Sequence, residues 1–202
     1  KSKGDGIKDT ELISGIVLDK ERISQDMPAH VNGARICLVD FPLELKNPEI
    51  DTKVSISSPE QLHSFIEQEE KEIKNMVEKI KMSGANVVFC QKGIDDFAQY
   101  LLAKENIYGS RRIAKSDMEK LSKATGGKIV SNLNELNSEE LGNAQIVEEV
   151  KHGGDSLTYV RGCSNPKSLT ILIHGGTGHV IDEIERAIKD GLRDVICSLK
   201  DG

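Results

Sequence analysis

Hydrophobic positions along this chain change period several times, and each change marks an element. Glu11 to Leu18 and Ala34 to Asp40 are rich in Ile, Val and Leu and read as strands. Phe41 to Ser58 breaks the pattern. Pro42 and Pro48 interrupt it and Ser58-Pro59 closes it, yet Leu43, Leu45, Ile50, Val54 and Ile56 stand among its charged residues. Ser58 then suits a helix N-cap, Pro59 the first helical position, and Gln61 the capping box. The helix that follows carries Leu62, Phe65, Ile66, Ile73, Met76, Val77 and Ile80 in phase and stops at Gly84. At ~24 residues it would be ~36 Å long, about twice an ordinary globular helix. From Glu67 to Glu72 every residue is charged or an amide, so the apolar stripe has a gap. The residues alone leave two readings: an ordinary amphipathic helix with a polar notch, or two halves with different tasks.

Beyond Gly84 the periods alternate. Ala85 to Cys90 reads as a buried strand, Ile94 to Glu105 as a helix, and Ile107 to Ile113 as a short strand. Ser116 suits the N-cap of the next helix with Glu119 as its box partner, and Gly126-Gly127 stop it before a strand at Lys128 to Val130. This order predicts an α/β layer with parallel strands. Gln145 to Lys151 and Leu157 to Arg161 then read as a hairpin about His152-Gly153-Gly154-Asp155. Ser168 to Ile173 is a further strand, followed by His174-Gly175-Gly176-Thr177-Gly178 and a last helix from His179 to about Asp190.

Composition narrows the function classes. Aromatics are 3% of the 202 residues and Trp is absent, so a core or binding face must be aliphatic and base-stacking platforms are not expected. A formal charge of −6 disfavours nucleic acid as a partner. Cys37, Cys90, Cys163 and Cys197 form no CxxC pair, and the first two fall in apolar runs as buried free thiols do. No disulfide framework is expected and the context reads as cytosolic. Lys1 to Thr10 holds no signal-peptide core, and no apolar run approaches the ~20 residues of a membrane span.

Candidate chemistry is sparse. The glycine loop from His174 to Gly178 between a strand and a helix is the one place for a phosphate cradle, and an enzyme binding a phosphate compound there is the alternative function. It lacks the Lys-Ser/Thr of a P-loop, and Ile181 stands where a dinucleotide fingerprint needs its third glycine. Gly162-Cys163-Ser164 has Pro166 where a nucleophile elbow needs glycine. Lys3-Gly4-Asp5-Gly6 reads as a linker. Five histidines show no metal-ligand spacing, and Asp95-Asp96 sit where acids favour a helix start.

Several long runs resemble one family. They are DTELISGIVLDKE (Asp9 to Glu21), GANVVFCQKGIDD (Gly84 to Asp96), AQYLLAKENI (Ala98 to Ile107), RRIAKSDMEKLSKATGGKIVSN (Arg111 to Asn132) and NPKSLTILIHGG (Asn165 to Gly176). In this order they resemble the apical region of group II chaperonins, with the archaeal thermosome the most similar group. The resemblance implies a layered α/β apical domain at 15–164, with parallel strands plus hairpin and sandwich elements, flanked by intermediate-domain segments at 1–14 and 165–202. It places a long helical protrusion, the built-in lid, at about 43–72, and so favours the two-task reading of the long helix. It implies binding of unfolded or partly folded polypeptides through Val54, Ile56, Leu62, Phe65 and Ile66. A second face of Phe97, Tyr100, Leu101 and Lys104 would lie on the helix that lines the cavity.

Gly15, Gly175 and Gly176 resemble the hinge crossings between domains, and Asp190 the aspartate that positions the water attacking ATP, with Gly191 in place of the more usual Ala. The full-length parent would bind ATP and Mg and assemble with sibling subunits in a cytoplasmic double ring. The family's nucleotide-binding equatorial domain has no counterpart here, and a start at Lys1 without Met reads as a fragment. No ATPase activity, cofactor, metal, nucleic acid or membrane is therefore expected of this chain itself.

Overall fold

The computed structural model describes residues 2–3, 7–44, 59–152, 154–165 and 168–201, with only the course of the backbone along 59–66. In chain order the elements are β1 (Ser2–Lys3), β2 (Glu11–Leu18), β3 (His30–Val39), α1 (Pro59–Met82), β4 (Val87–Cys90) and α2 (Asp96–Lys104). Then come β5 (Tyr108–Ser110), α3 (Lys115–Thr125), β6 (Ile129–Val130), β7 (Gly142–His152), β8 (Asp155–Cys163), β9 (Leu169–Leu172), β10 (His174–Gly175) and α4 (Gly178–Asp201). One sheet runs β5-β4-β3-β7-β8-β2-β9 with β6 beside the end of β3, while β1 and β10 form a separate parallel pair.

The expected α/β layer is present. β4 and β6 pair parallel with β3, and β5 parallel with β4. All four residues of β4 are buried, as a strand covered on both faces requires. Ile73, Val77 and Ile80 of α1 and Ala98 and Leu102 of α2 pack on Cys37, Val39, Val88 and Cys90. Alternate residues, Ile36, Leu38, Val87 and Phe89, meet Met118, Leu121 and Ala124 of α3 on the opposite face. Asp95 caps α2 through the amide of Phe97 at 2.8 Å. Ser116 does not cap α3. The chain turns earlier, with the amides of Asp117 and Met118 both on the Ala114 carbonyl, so Ser116 lies inside the first turn and the cap position has no side-chain bond. Gly126 (φ 75) ends that helix in the left-handed conformation, as expected.

The antiparallel part is the β7–β8 hairpin joined to β3 and β2. Val31 and Ala34, three residues apart, both face the α3 side, so β3 reverses faces at Gly33 (φ 61). β8 does the same between Val160 and Cys163 at Gly162 (φ 64). β2 has two partners in succession: Glu11–Ser14 pair with β9 and Gly15–Leu18 with β8. A small separate core of Ile13, Leu157, Tyr159 and Leu172 fills the space between these halves.

The outer strand β5 does not meet solvent along its free edge. The amide of Ile23 donates to the Gly109 carbonyl at 3.0 Å, and Ser110 Oγ donates to the Glu21 carbonyl at 3.1 Å, so the loop from Asp19 to Ala29 covers it. The same loop is tied from below. Thr158 Oγ1 donates to the Lys20 carbonyl (2.6 Å) and therefore accepts the Tyr108 hydroxyl at 2.7 Å. Burial pushes the Tyr108 phenol up to about 12. Thr158→Val keeps the shape but strands both partners, and should cost about 2 kcal/mol in urea unfolding with the slope unchanged.

Candidate functional site

Exposed apolar and charged groups meet where α1 and α2 run side by side. Ala98 and Leu102, four apart, are buried and set the phase of α2. Phe97 and Leu101 flank that face, half-buried against the core, while Tyr100 (60% exposed) and Lys104 point outward. Between the helices runs an open groove of about 420 Å³, floored by Val77 and Leu101. Lys74 lies 5.4 Å from the centre of the Phe97 ring at one end, and Lys81 pairs with Glu105 at 2.6 Å at the other. Met82, 80% exposed, forms the lip. An aliphatic floor between charged rims could accept apolar side chains of many shapes, each buried one contributing ~1.5–3 kcal/mol before ordering costs.

The other side of α1 borders a second groove of about 470 Å³, lined by Phe41, Pro42, Met76 and Leu133. Lys79 Nζ donates to Asn134 Oδ1 at 2.6 Å across it. The helix continues past both grooves to Pro59. Of the residues expected to grip at the protrusion, Val54 and Ile56 lie outside the described residues, as does the Ser58 cap. Leu62, Phe65 and Ile66 belong to the helix, with their side chains outside the description. Sequence reasoning named Phe97, Tyr100, Leu101 and Lys104 but not Lys74 and Met82, whose polar or terminal positions in the stripe gave no sign that α2 would lie alongside.

The glycine positions separate into two kinds. Gly15 (φ 143) stands where β2 changes partner, and a Cβ there would lie 2.0 Å from the Val160 carbonyl oxygen. Gly175 lies in β10 rather than in a free loop, and its Cβ would press within 2.8 Å of Ile181 at the start of α4. Gly176 has open space around it. At the end of the same loop, Thr177 Oγ1 accepts the Val180 amide at 3.4 Å and so caps one of the free amides of the helix N-terminus. His174 is buried.

α4 is longer than the sequence reading gave it. It runs to Asp201, because Ile181, Ile184, Ile188, Leu192, Val195 and Leu199 keep one helical stripe through Gly191. Leu192, Val195, Ile196 and Leu199 are at least half exposed on it. Asp190 is exposed on the same helix. Among the described residues no cluster of His, Cys, Asp and Glu is placed to hold a metal, all four cysteines are free thiols, and no helix is long and apolar enough to cross a membrane.

The chain is similar in sequence and fold to chaperonins. The chain is 53% identical to a thermosome subunit of Methanopyrus kandleri, 54% to thermosome subunit beta of Archaeoglobus fulgidus and 55% to thermosome subunit alpha of Thermoplasma acidophilum. Each match covers 100% of this chain and 37% of the relative, so the chain spans little more than a third of those proteins. The open-state monomer of a group II chaperonin from Methanococcoides burtonii superposes with a TM-score of 0.79 at 43% identity, over 95% of this chain and 42% of that one. The TCP-1/cpn60 chaperonin family matches residues 1–202. The resemblance read from the five sequence runs thus extends over the whole length, and the chain belongs to the TCP-1/cpn60 chaperonin family.

Proposed function

We propose that this chain is the part of an ATP-driven group II chaperonin that binds non-native polypeptides and forms the lid. The observation that carries the reading is the groove between α1 and α2, with its aliphatic floor, charged rims and exposed Tyr100 and Met82. The helix that forms one wall of it, α1, continues past the groove and is about 36 Å long. Leu62, Phe65 and Ile66, with Val54 and Ile56, extend the grip along the protrusion at about 43–72. Tyr100 and Lys104 face the client directly, while Phe97 and Leu101 support them from the core side.

The strand pairing supports a division into domains. With residues 15–164 as the apical body and 1–14 with 165–202 as intermediate-domain segments, the first boundary falls where β2 leaves β9 for β8 at Gly15, which favours this division. The apolar stripe of α4 then packs on other parts of the parent, and Asp190 serves ATP hydrolysis only there. Partners are unfolded polypeptides and sibling subunits of a cytoplasmic double ring.

Aggregation of a heat-denatured client in the presence of this chain tests the grip. Phe65→Ser with Ile66→Ser should remove most of the suppression, leaving circular dichroism unchanged. Suppression undiminished in that variant would exclude the protrusion as the gripping surface.

A further inference from the structure

The small core between the two halves of β2 holds a polar contact that the fold alone does not require. In a straight strand Glu11 and Val17 would be roughly 20 Å apart, six residues at ~3.3 Å each. Tyr159 is the cross-strand partner of Val17. Yet the Tyr159 hydroxyl donates to Glu11 Oε1 at 3.2 Å, which is out of reach unless β2 bends sharply between them. The bend falls at Gly15, where φ is 143 and the strand exchanges β9 for β8. The contact therefore spans the bend and exists only while the bend is held.

The surrounding groups fix the ring that makes this contact. Tyr159 is fully buried, and Ile13, Leu157 and Leu172 pack about it. The Arg161 guanidinium lies 4.7 Å from the centre of its ring and pairs with Glu148 at 3.2 Å. Arg161 is itself the cross-strand partner of Gly15. Glu148 also meets His30 Nδ1 at 3.4 Å, which anchors the group on β3 and β7. Burial and the nearby Glu11 carboxylate push the Tyr159 phenol up to about 12, so the hydroxyl keeps its proton at neutral pH and remains a donor.

We infer that Tyr159, Arg161 and Glu11 form a latch across the Gly15 bend that sets the angle between the apical sheet and the unit carrying β9, β10 and α4. It rests on the reading of Gly15 as the crossing between two bodies. Tyr159 and Arg161 act as positioning residues on the apical side, and Glu11 is the catch on the other. When the latch is released the ring stays in its apolar pocket, and the bend keeps its strand pairing on both sides and the bond from Thr170 Oγ1 to the Gly15 carbonyl at 2.7 Å.

Electron–electron resonance between two spin labels tests this on the 202-residue chain. One label sits on exposed Cys197 of α4 and one on Lys123→Cys of α3, in a Cys163→Ser background with Cys37 and Cys90 left buried. The unmodified site should give one narrow distance. Tyr159→Phe, which removes only the hydroxyl, should broaden it about twofold, while Glu11→Gln, which still accepts a hydrogen bond, should stay narrow. Leu172→Ala loosens the packing about the ring while leaving the Tyr159 hydroxyl and the Glu11 carboxylate in place, and calibrates whether the two bodies can move at all. Broadening in Leu172→Ala but not in Tyr159→Phe would overturn the latch and leave the two-body reading standing. Narrow distances in both would overturn the two-body reading, and the latch with it.

Discussion

Gly15→Ala is expected to destabilise the chain by about 3 kcal/mol or more, the largest effect of any glycine replacement here. The added methyl would sit 2.0 Å from a backbone oxygen, that of Val160, at a φ of 143 that L-residues rarely adopt. No side chain can rotate away to relieve the contact. The pairing of Gly15 with Arg161 must open, and the bend that carries the small core opens with it. Gly191→Ala gives the opposite result. That glycine lies inside α4 with nothing within 4 Å of an added Cβ, so alanine should stabilise by about 1 kcal/mol. Urea unfolding of the two variants beside the parent checks both signs, and equal midpoints would contradict the account of Gly15.

The second large effect is alkaline. Burial raises the Cys37 thiol from 9.0 to about 12 and the Cys90 thiol from 9.0 to about 11. Below pH 9 both thiols are protonated in the folded and unfolded chains, so their contribution is fully present. Between pH 9 and 11 only the unfolded chain releases these protons, and stability falls. Each pH unit in that window costs about 1.4 kcal/mol per thiol. Tyr108 and Tyr159, raised from 10.0 to about 12, add to the loss in the upper half of the window. Denaturation midpoints at pH 8, 9.5 and 10.5 should drop steeply. Cys37→Ala should lie lower at pH 8 but lose less between pH 8 and 10.5. A midpoint constant over that range would show that these thiols are not shielded.

Much of the layer was legible because burial leaves a direct mark on sequence. The run Val87 to Cys90 is apolar throughout, as only a doubly covered strand is, and Ala98 and Leu102 fix which way α2 faces. The partner exchange in β2 left no such mark. The alternation of Ile13, Gly15 and Val17 is the same whether the neighbour is β8 or β9, so Glu11 and Tyr159 could not be brought together on paper. α4 was underestimated because its reading stopped at about Asp190, whereas the apolar stripe carries on through Gly191 to Leu199. Ser116 misled for the converse reason. A good capping side chain is no guarantee when the preceding residue already lies at the turn. The site was half legible: Tyr100 and Lys104 stand outward on α2, but a groove is a property of two helices and neither shows it alone.

Under the proposed function, the loop laid along β5 bears on how a client would be let go. A polypeptide that added itself to a sheet edge would pair its backbone with every second residue, regardless of its sequence, and would behave like a growing fibril. The bonds from Ile23 to Gly109 and from Ser110 to Glu21 close that route at β5. A client on that side would then be held through separate side chains, each worth little and each broken independently. Such contacts can be undone one at a time by a modest rotation of the surface that makes them.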